Sequence, residues 1–61
     1  MGFGQIMRRL RSGADMTQER LADLLNISPQ AVSRWENDAA MPDISLLRPL
    51  ANLFGVTTDY L

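Results

Sequence analysis

The stretch Met16 to Asn37, MTQERLADLLNISPQAVSRWEN, decides the fold. Thr17 is a good N-cap, and the helix behind it would bury Leu21, Ala22 and Leu25. Asn26 follows, and asparagine tolerates the left-handed conformation that ends a helix without a glycine. Ser28-Pro29 is then a second start signal, a serine cap followed by proline at the first helical position, where its missing N–H costs nothing. The helix it opens runs to about Glu36 and buries Val32. Ser33 and Glu36 also have the spacing of a capping box, but Ser33 lies inside the helix and cannot cap it. The stretch therefore reads as two short helices, about 17–25 and 28–36, joined by a tight turn.

Upstream, Phe3, Met7 and Leu10 recur at i, i+4 and i+7 and mark one face of a helix over about residues 3–12. Ser12-Gly13-Ala14-Asp15 breaks it. Downstream, Asn37 to Pro42 is a loop, and Asp43 can cap a helix of about 44–54 that carries Ile44, Leu47, Leu50, Ala51 and Phe54 and stops at Gly55. Pro49 is awkward there, because proline deep in a helix lacks a donor and clashes with the preceding turn. Either the helix proper starts around Ser45, which puts Pro49 near its first turn, or Asp43 to Leu47 forms a separate tight turn. Thr57 then caps a last helix of which only 58–61 is present, so the chain reads as the N-terminal piece of a longer protein or as one from which a tail has been removed. The fold class expected is all-α, a compact bundle of four to five short helices in a single domain over 1–61.

Sixty-one residues allow one domain, near the size limit for a single apolar core. With 46% hydrophobic and 21% charged residues the chain has the material for such a core. It contains neither cysteine nor histidine, which removes disulfides and thiol or imidazole chemistry, and no metal or cofactor is expected. The N-terminus has no continuous apolar run and is not a signal peptide, Ile6 stands where myristoylation needs Ser or Thr, and nothing approaches transmembrane length. A soluble cytoplasmic domain is the reading. The four methionines are no cofactor box: Met7 and Met16 fall at core spacing, Met41 in a loop, and Met1 is read as the initiator.

The net charge of −1 argues mildly against a nucleic-acid partner. Its distribution softens the objection. Residues 1–20 hold Arg8, Arg9, Arg11 and Arg20 against Asp15 and Glu19, whereas the rest holds Arg34 and Arg48 against Asp23, Glu36, Asp38, Asp43 and Asp59.

The spacing Met16-Thr17-Gln18, Leu21-Ala22, Leu25-Asn26-Ile27-Ser28, Val32 to Asn37 and Pro42 resembles the XRE-type helix-turn-helix regulators, the group that includes phage Cro and repressor proteins. The likeness extends through Phe3-Gly4 and Met7 to Arg11 upstream, and through Asp43-Ile44, Leu50-Ala51-Asn52 and Phe54 to Thr57 downstream. The resemblance implies sequence-specific binding of double-stranded DNA in a bacterial or phage-type regulator, commonly a repressor acting as a homodimer on a pseudo-palindromic operator. In such proteins the second helix crosses the backbone and the third reads base edges. Carried over by position, Gln18 resembles a phosphate-contacting glutamine, and Ser28 and Asn37 resemble backbone anchors at the two ends of the recognition helix. Gln30, Ser33 and Arg34 occupy its outward positions, which in relatives face base edges or nearby phosphates and are the base-reading candidates here, and Arg11 and Glu36 match a structural ion pair between the first and third helices.

The chemistry of the residues is compatible with those roles. A glutamine amide pairs with adenine N6 and N7, and arginine with guanine O6 and N7, at about 1–3 kcal/mol of discrimination each. Serine is too short to choose between bases and positions a helix instead. Gln30, Ser33 and Arg34 lie at i, i+3 and i+4 and share one face opposite Val32. The same three residues would also make an ordinary solvated surface. Trp35 has two readings, a stack on DNA sugar or a packing role at the core edge, of which packing is preferred. Arg8 and Arg9 read as solvated, with one of them able to reach a phosphate.

Some positions depart from the family pattern. Pro29 replaces a common basic residue, the loop Asp38-Ala39-Ala40-Met41 lacks basic residues, and Asp15 and Asp38 replace turn glycines. Asp38 is expected to add an unhelpful charge near DNA. Arg20 stands where a capping glutamate is common, which leaves Thr17 to cap the second helix alone. Fewer neutralised phosphates predict modest, strongly salt-sensitive binding. The competing function is a protein-interaction module of the same fold, of antitoxin or adaptor type. An enzyme is remote: Glu19, Asp23 and Glu36 could be proposed as acid and base, but Glu36 is already paired with Arg11 and nothing suggests a pocket in so small a core.

Overall fold

The computed structural model describes residues 2–61; Met1, read as the initiator, lies outside them. Four α-helices, α1 (Phe3–Gly13), α2 (Gln18–Leu25), α3 (Pro29–Glu36) and α4 (Ile44–Phe54), are followed by one 3-10 turn, Thr58–Tyr60. There is no strand among the described residues. Helix α3 rests chiefly on α1 and α2, α4 meets α2, and the final turn folds back on α4. The Cα atoms fill a near-isotropic volume of 24 × 22 × 21 Å.

The central turn forms as its residues dictate. Thr17 Oγ1 accepts the Arg20 amide at 3.0 Å, so threonine alone caps α2. Asn26 ends it at φ 58°, and the Ile27 amide reaches back to the Ala22 carbonyl at 2.9 Å. Ser28 Oγ then accepts the Ala31 amide at 3.3 Å, with Pro29 as the first residue of α3. Asp15 and Asp38 both adopt positive φ, 56° and 57°, where a short carboxylate side chain is tolerated in place of glycine.

The core is Phe3, Met7, Leu21, Ala22, Val32, Trp35 and Leu50, with Met16, Leu25, Ile27, Leu46, Leu47 and Phe54 packed around it. Trp35 is 4% exposed, which settles its two readings in favour of packing. Where the N-terminus of α1 meets the end of α3, the backbones approach so closely that Gly4 is required. A Cβ there would lie 2.5 Å from the Trp35 carbonyl oxygen and 2.6 Å from that of Glu36.

Several expectations are corrected. Helix α1 continues through Ser12 and Gly13, and the break comes at Ala14 and Asp15. Helix α4 spans the expected 44–54, but Asp43 to Leu47 is not a separate turn; Pro49 sits inside the helix, exposed, and gives no N–H to the Ser45 carbonyl. The start of the helix is capped separately: Asp43 Oδ2 accepts from the Ser45 amide at 3.3 Å and from its hydroxyl at 2.5 Å. Those two bonds also hold the Asp43 pKa below its ordinary value. Ile44 is 82% exposed and contributes nothing to the core; Leu46 packs there instead. Leu10 is only half-buried. Thr57 stands at the cap position of the last turn but makes no side-chain capping bond, and that turn is 3-10 rather than α.

Candidate nucleic-acid interface

Helix α3 has two unlike faces. Inward it carries Val32, Trp35 and Glu36; outward it carries exposed Gln30 and Arg34 with half-buried Ser33 between them. The outward face is continuous with the start of α2. Gln18, Glu19, Pro29, Gln30 and Ser33 line one wide open depression of about 380 Å³. Arg34 stands outside that lining, further along the same helix face.

Around the depression the capping residues keep donors in reserve. Ser28 uses a lone pair to accept from Ala31, which leaves its hydroxyl hydrogen available to an outside acceptor. The first amides of α2 have no intrahelical acceptor, so the Gln18 N–H faces outward at a helix N-terminus, an electrostatically positive end.

Behind this surface lies a polar hub centred on Glu36, whose side chain has 0% exposure. Arg11 donates to it twice, from Nε at 2.6 Å and from Nη2 at 3.1 Å, while Arg11 Nη1 donates to the Met16 carbonyl at 2.7 Å. Gln18 Nε2 donates to Glu36 Oε1 at 3.1 Å, and Arg8 Nε lies 3.5 Å from that same oxygen. Burial pushes the Glu36 carboxyl up, but the hydrogen bonds from Arg11 and Gln18, the Arg11 charge and the Arg8 contact outweigh it and hold the pKa below the ordinary value. Arg11 is shifted up, first through its hydrogen bond to Glu36. No buried side-chain polar atom among the described residues lacks a partner.

The structure thus pairs Arg11 with Glu36 and brings Gln18, Gln30 and Ser33 onto one surface, while Ser28 caps the start of α3 next to Pro29. It gives Gln18 an additional task. A carboxylate only accepts, so the Gln18 NH2 must face Glu36, and its remaining outward donors are the other amide hydrogen and the backbone N–H. Asn37 caps the far end of α3, and its Oδ1 accepts from Arg8 Nη2 at 3.5 Å.

Two residues have contacts that the sequence does not indicate. Arg8 belongs to the hub; its position three before Arg11, hence on the same helix face, was the available signal. Asp38 has a structural task, since its Oδ1 accepts the Gly4 amide at 2.9 Å and so caps α1 from a position distant in sequence. Gly2 offers α1 no side-chain cap, and a carboxylate at that helix start is favourable. Glu19 lines the depression, where its carboxylate would meet any anionic partner. Among the described residues no helix is long and apolar enough to cross a membrane, and no acidic cluster has metal-binding geometry.

Fold and surface together define a helix-turn-helix domain of phage-repressor type. Comparison with known proteins agrees: the helix-turn-helix family model matches residues 7–61, and the chain belongs to that family. It is 38% identical over 61 residues to the HTH-type transcriptional activator BcrR of Enterococcus faecalis, covering all of this chain and 30% of that protein. It is 39% identical over 61 residues to the HTH-type transcriptional regulator ImmR of Bacillus subtilis (strain 168), covering 100% of this chain and 48% of the relative. With the SPbeta prophage-derived regulator YonR of the same organism it shares 37% over 59 residues, 97% of this chain and 55% of that one. The chain therefore spans about a third to just over half of these relatives' lengths. Among solved structures it superposes on the P22 c2 repressor, crystallised in complex with a synthetic operator, with a TM-score of 0.92 and 25% identity over 98% of this chain and 91% of that one.

Proposed function

We propose that the chain is the sequence-specific DNA-binding domain of a bacterial or phage-type transcriptional regulator, with α3 in the major groove. The observation that carries this reading is the shared surface of the α2 start and the outward face of α3, backed by a hub that fixes their relative position. Gln30 and Arg34 read base edges. Ser33, between them, is too short to discriminate and sets the approach of the helix. Gln18 and Ser28 hold phosphates at the near end of α3, and Asn37 does so at the far end.

The domain acts in the cytoplasm as a homodimer on a pseudo-palindromic operator, its two copies of α3 about 34–36 Å apart in successive major grooves. A body of 24 × 22 × 21 Å is small enough for two copies to sit side by side at that spacing. Repression by occupying the operator is the mode we adopt; the P22 protein of like fold is a repressor bound to an operator, whereas BcrR is named an activator.

Selection from a random duplex pool at low salt, run in parallel with the Gln30→Ala variant, tests the proposal. Enrichment of one motif, altered or lost in the variant, supports it. Equal binding of every sequence by both proteins, with no motif even when a dimer is enforced, removes the sequence-reading role from α3.

A further inference from the structure

The assigned anchors leave the far end of α3 thinly provided. Asn37 is uncharged, Asp38 is committed to the start of α1, and the loop beyond it has no basic side chain. Arg8 occupies that gap. Its side chain is 56% exposed although it touches Glu36 at 3.5 Å and Asn37 at 3.5 Å. It therefore stands at the rim of the hub rather than inside it, unlike Arg11, whose side chain is 16% exposed.

Resting on the DNA-binding reading above, we propose that Arg8, on α1, is a further phosphate-binding residue that works as a unit with Asn37. A guanidinium has more N–H groups than these two contacts use, and its Nη1 group is left for a phosphate oxygen. The charge is not cancelled locally. Glu36 already receives the two short bonds from Arg11, so Arg8 remains a net cation at the surface. The same guanidinium holds the Asn37 carbonyl oxygen inward. That turns the Asn37 NH2 outward, which is the only orientation in which an asparagine donates to phosphate. One arginine thus supplies the charge that the loop lacks and orients the neighbouring donor. It also ties the placement of α1 to that of the DNA strand.

The test is the salt dependence of binding to a mixed-sequence duplex, where the backbone term dominates. Arg8→Gln should lower the slope of log affinity against log salt by about one, and weaken binding roughly tenfold at 0.05 M salt, because one counterion fewer is released. Arg8→Lys should restore the slope while recovering only part of the affinity, since lysine keeps the charge but loses the fork. Asn37→Ala should cost less in the Arg8→Gln background than in the unaltered protein, the non-additivity of a coupled pair. Arg9→Gln, a matched charge loss a quarter-turn away, should leave the slope nearly unchanged. An unchanged slope for Arg8→Gln, or an equal drop for Arg9→Gln, overturns the assignment while leaving the DNA-binding reading standing. Absence of salt-dependent duplex binding by the unaltered protein overturns both.

Discussion

The two halves of this small protein are held together by different physics. Through residues 3–38 the helices are joined by long-range polar contacts: Asp38 to Gly4, Arg8 to Asn37, and Arg11 and Gln18 to Glu36. Helix α4 and the final turn have no such tie among the described residues. They are joined to the rest by Leu50, Leu46, Leu47 and Phe54. Apolar contacts fill volume but constrain direction weakly, whereas a bidentate ion pair fixes both distance and angle. The polar half also carries the surface proposed to meet DNA. On that reading, directional bonds lie where helix orientation matters for binding, and packing suffices elsewhere.

The sharpest way to break the comparison is to remove one partner from the hub. Arg11→Met would leave Glu36 buried and uncompensated, at a cost of about 3–5 kcal/mol. A 61-residue domain has on the order of 3–9 kcal/mol to lose, so this variant should be largely unfolded in equilibrium urea titrations. Adding Glu36→Leu should recover most of the stability, because a matched apolar pair carries no stranded charge. That double variant should nevertheless bind DNA less well, since Gln18 and Arg8 lose their common acceptor.

The apolar half should respond differently. Leu50→Ala should cost about 2–5 kcal/mol through lost burial and a residual cavity. In any population that stays folded, its salt slope for DNA should be unchanged. Acid separates the halves again. The folded-state pKa of Glu36 is depressed, so its stabilisation is complete above the unfolded carboxyl value of about 4.3 and is lost as pH falls through the lower folded value. The unaltered protein should therefore lose stability below about pH 4.3, and the Arg11→Met, Glu36→Leu protein should lose visibly less over the same range. The smallest effect is local: Thr17→Ala should lower stability by about 1 kcal/mol through the lost cap of α2.

Much of this was legible in the sequence because it rests on local rules. Thr17, Asn26, Ser28 and Pro29 each have a conformational preference that acts on their own turn, and each acts as expected. The Arg11–Glu36 pair came from the family resemblance rather than from local spacing. Ile44 misled because helical periodicity assigns a face without saying where a helix begins to be covered; α4 meets the core only from Leu46 onward. Pro49 left two readings open because its cost is one lost bond and a local clash, which no local rule weighs against the packing of the whole helix; α4 nonetheless spans the expected range. Asp38 and Gly4 are thirty-four positions apart, and no local rule couples them. Of the candidate surface, sequence spacing placed the outward residues of α3 on one face, but it did not show that Gln18 and Arg8 meet on one buried carboxylate.

The central claim is that the partner lies against the polar half, on the surface made by the start of α2 and the outward face of α3. The most direct measurement is backbone amide shift mapping by NMR while a short duplex from the selection is titrated in. The largest changes are expected at Gln18, Ser28, Gln30, Ser33, Arg34 and Asn37, with Arg8 among them, and little change across residues 44–61. Largest changes at Met41, Ile44, Leu53 and Tyr60, with α3 undisturbed, would contradict it and place the binding surface on the apolar half instead.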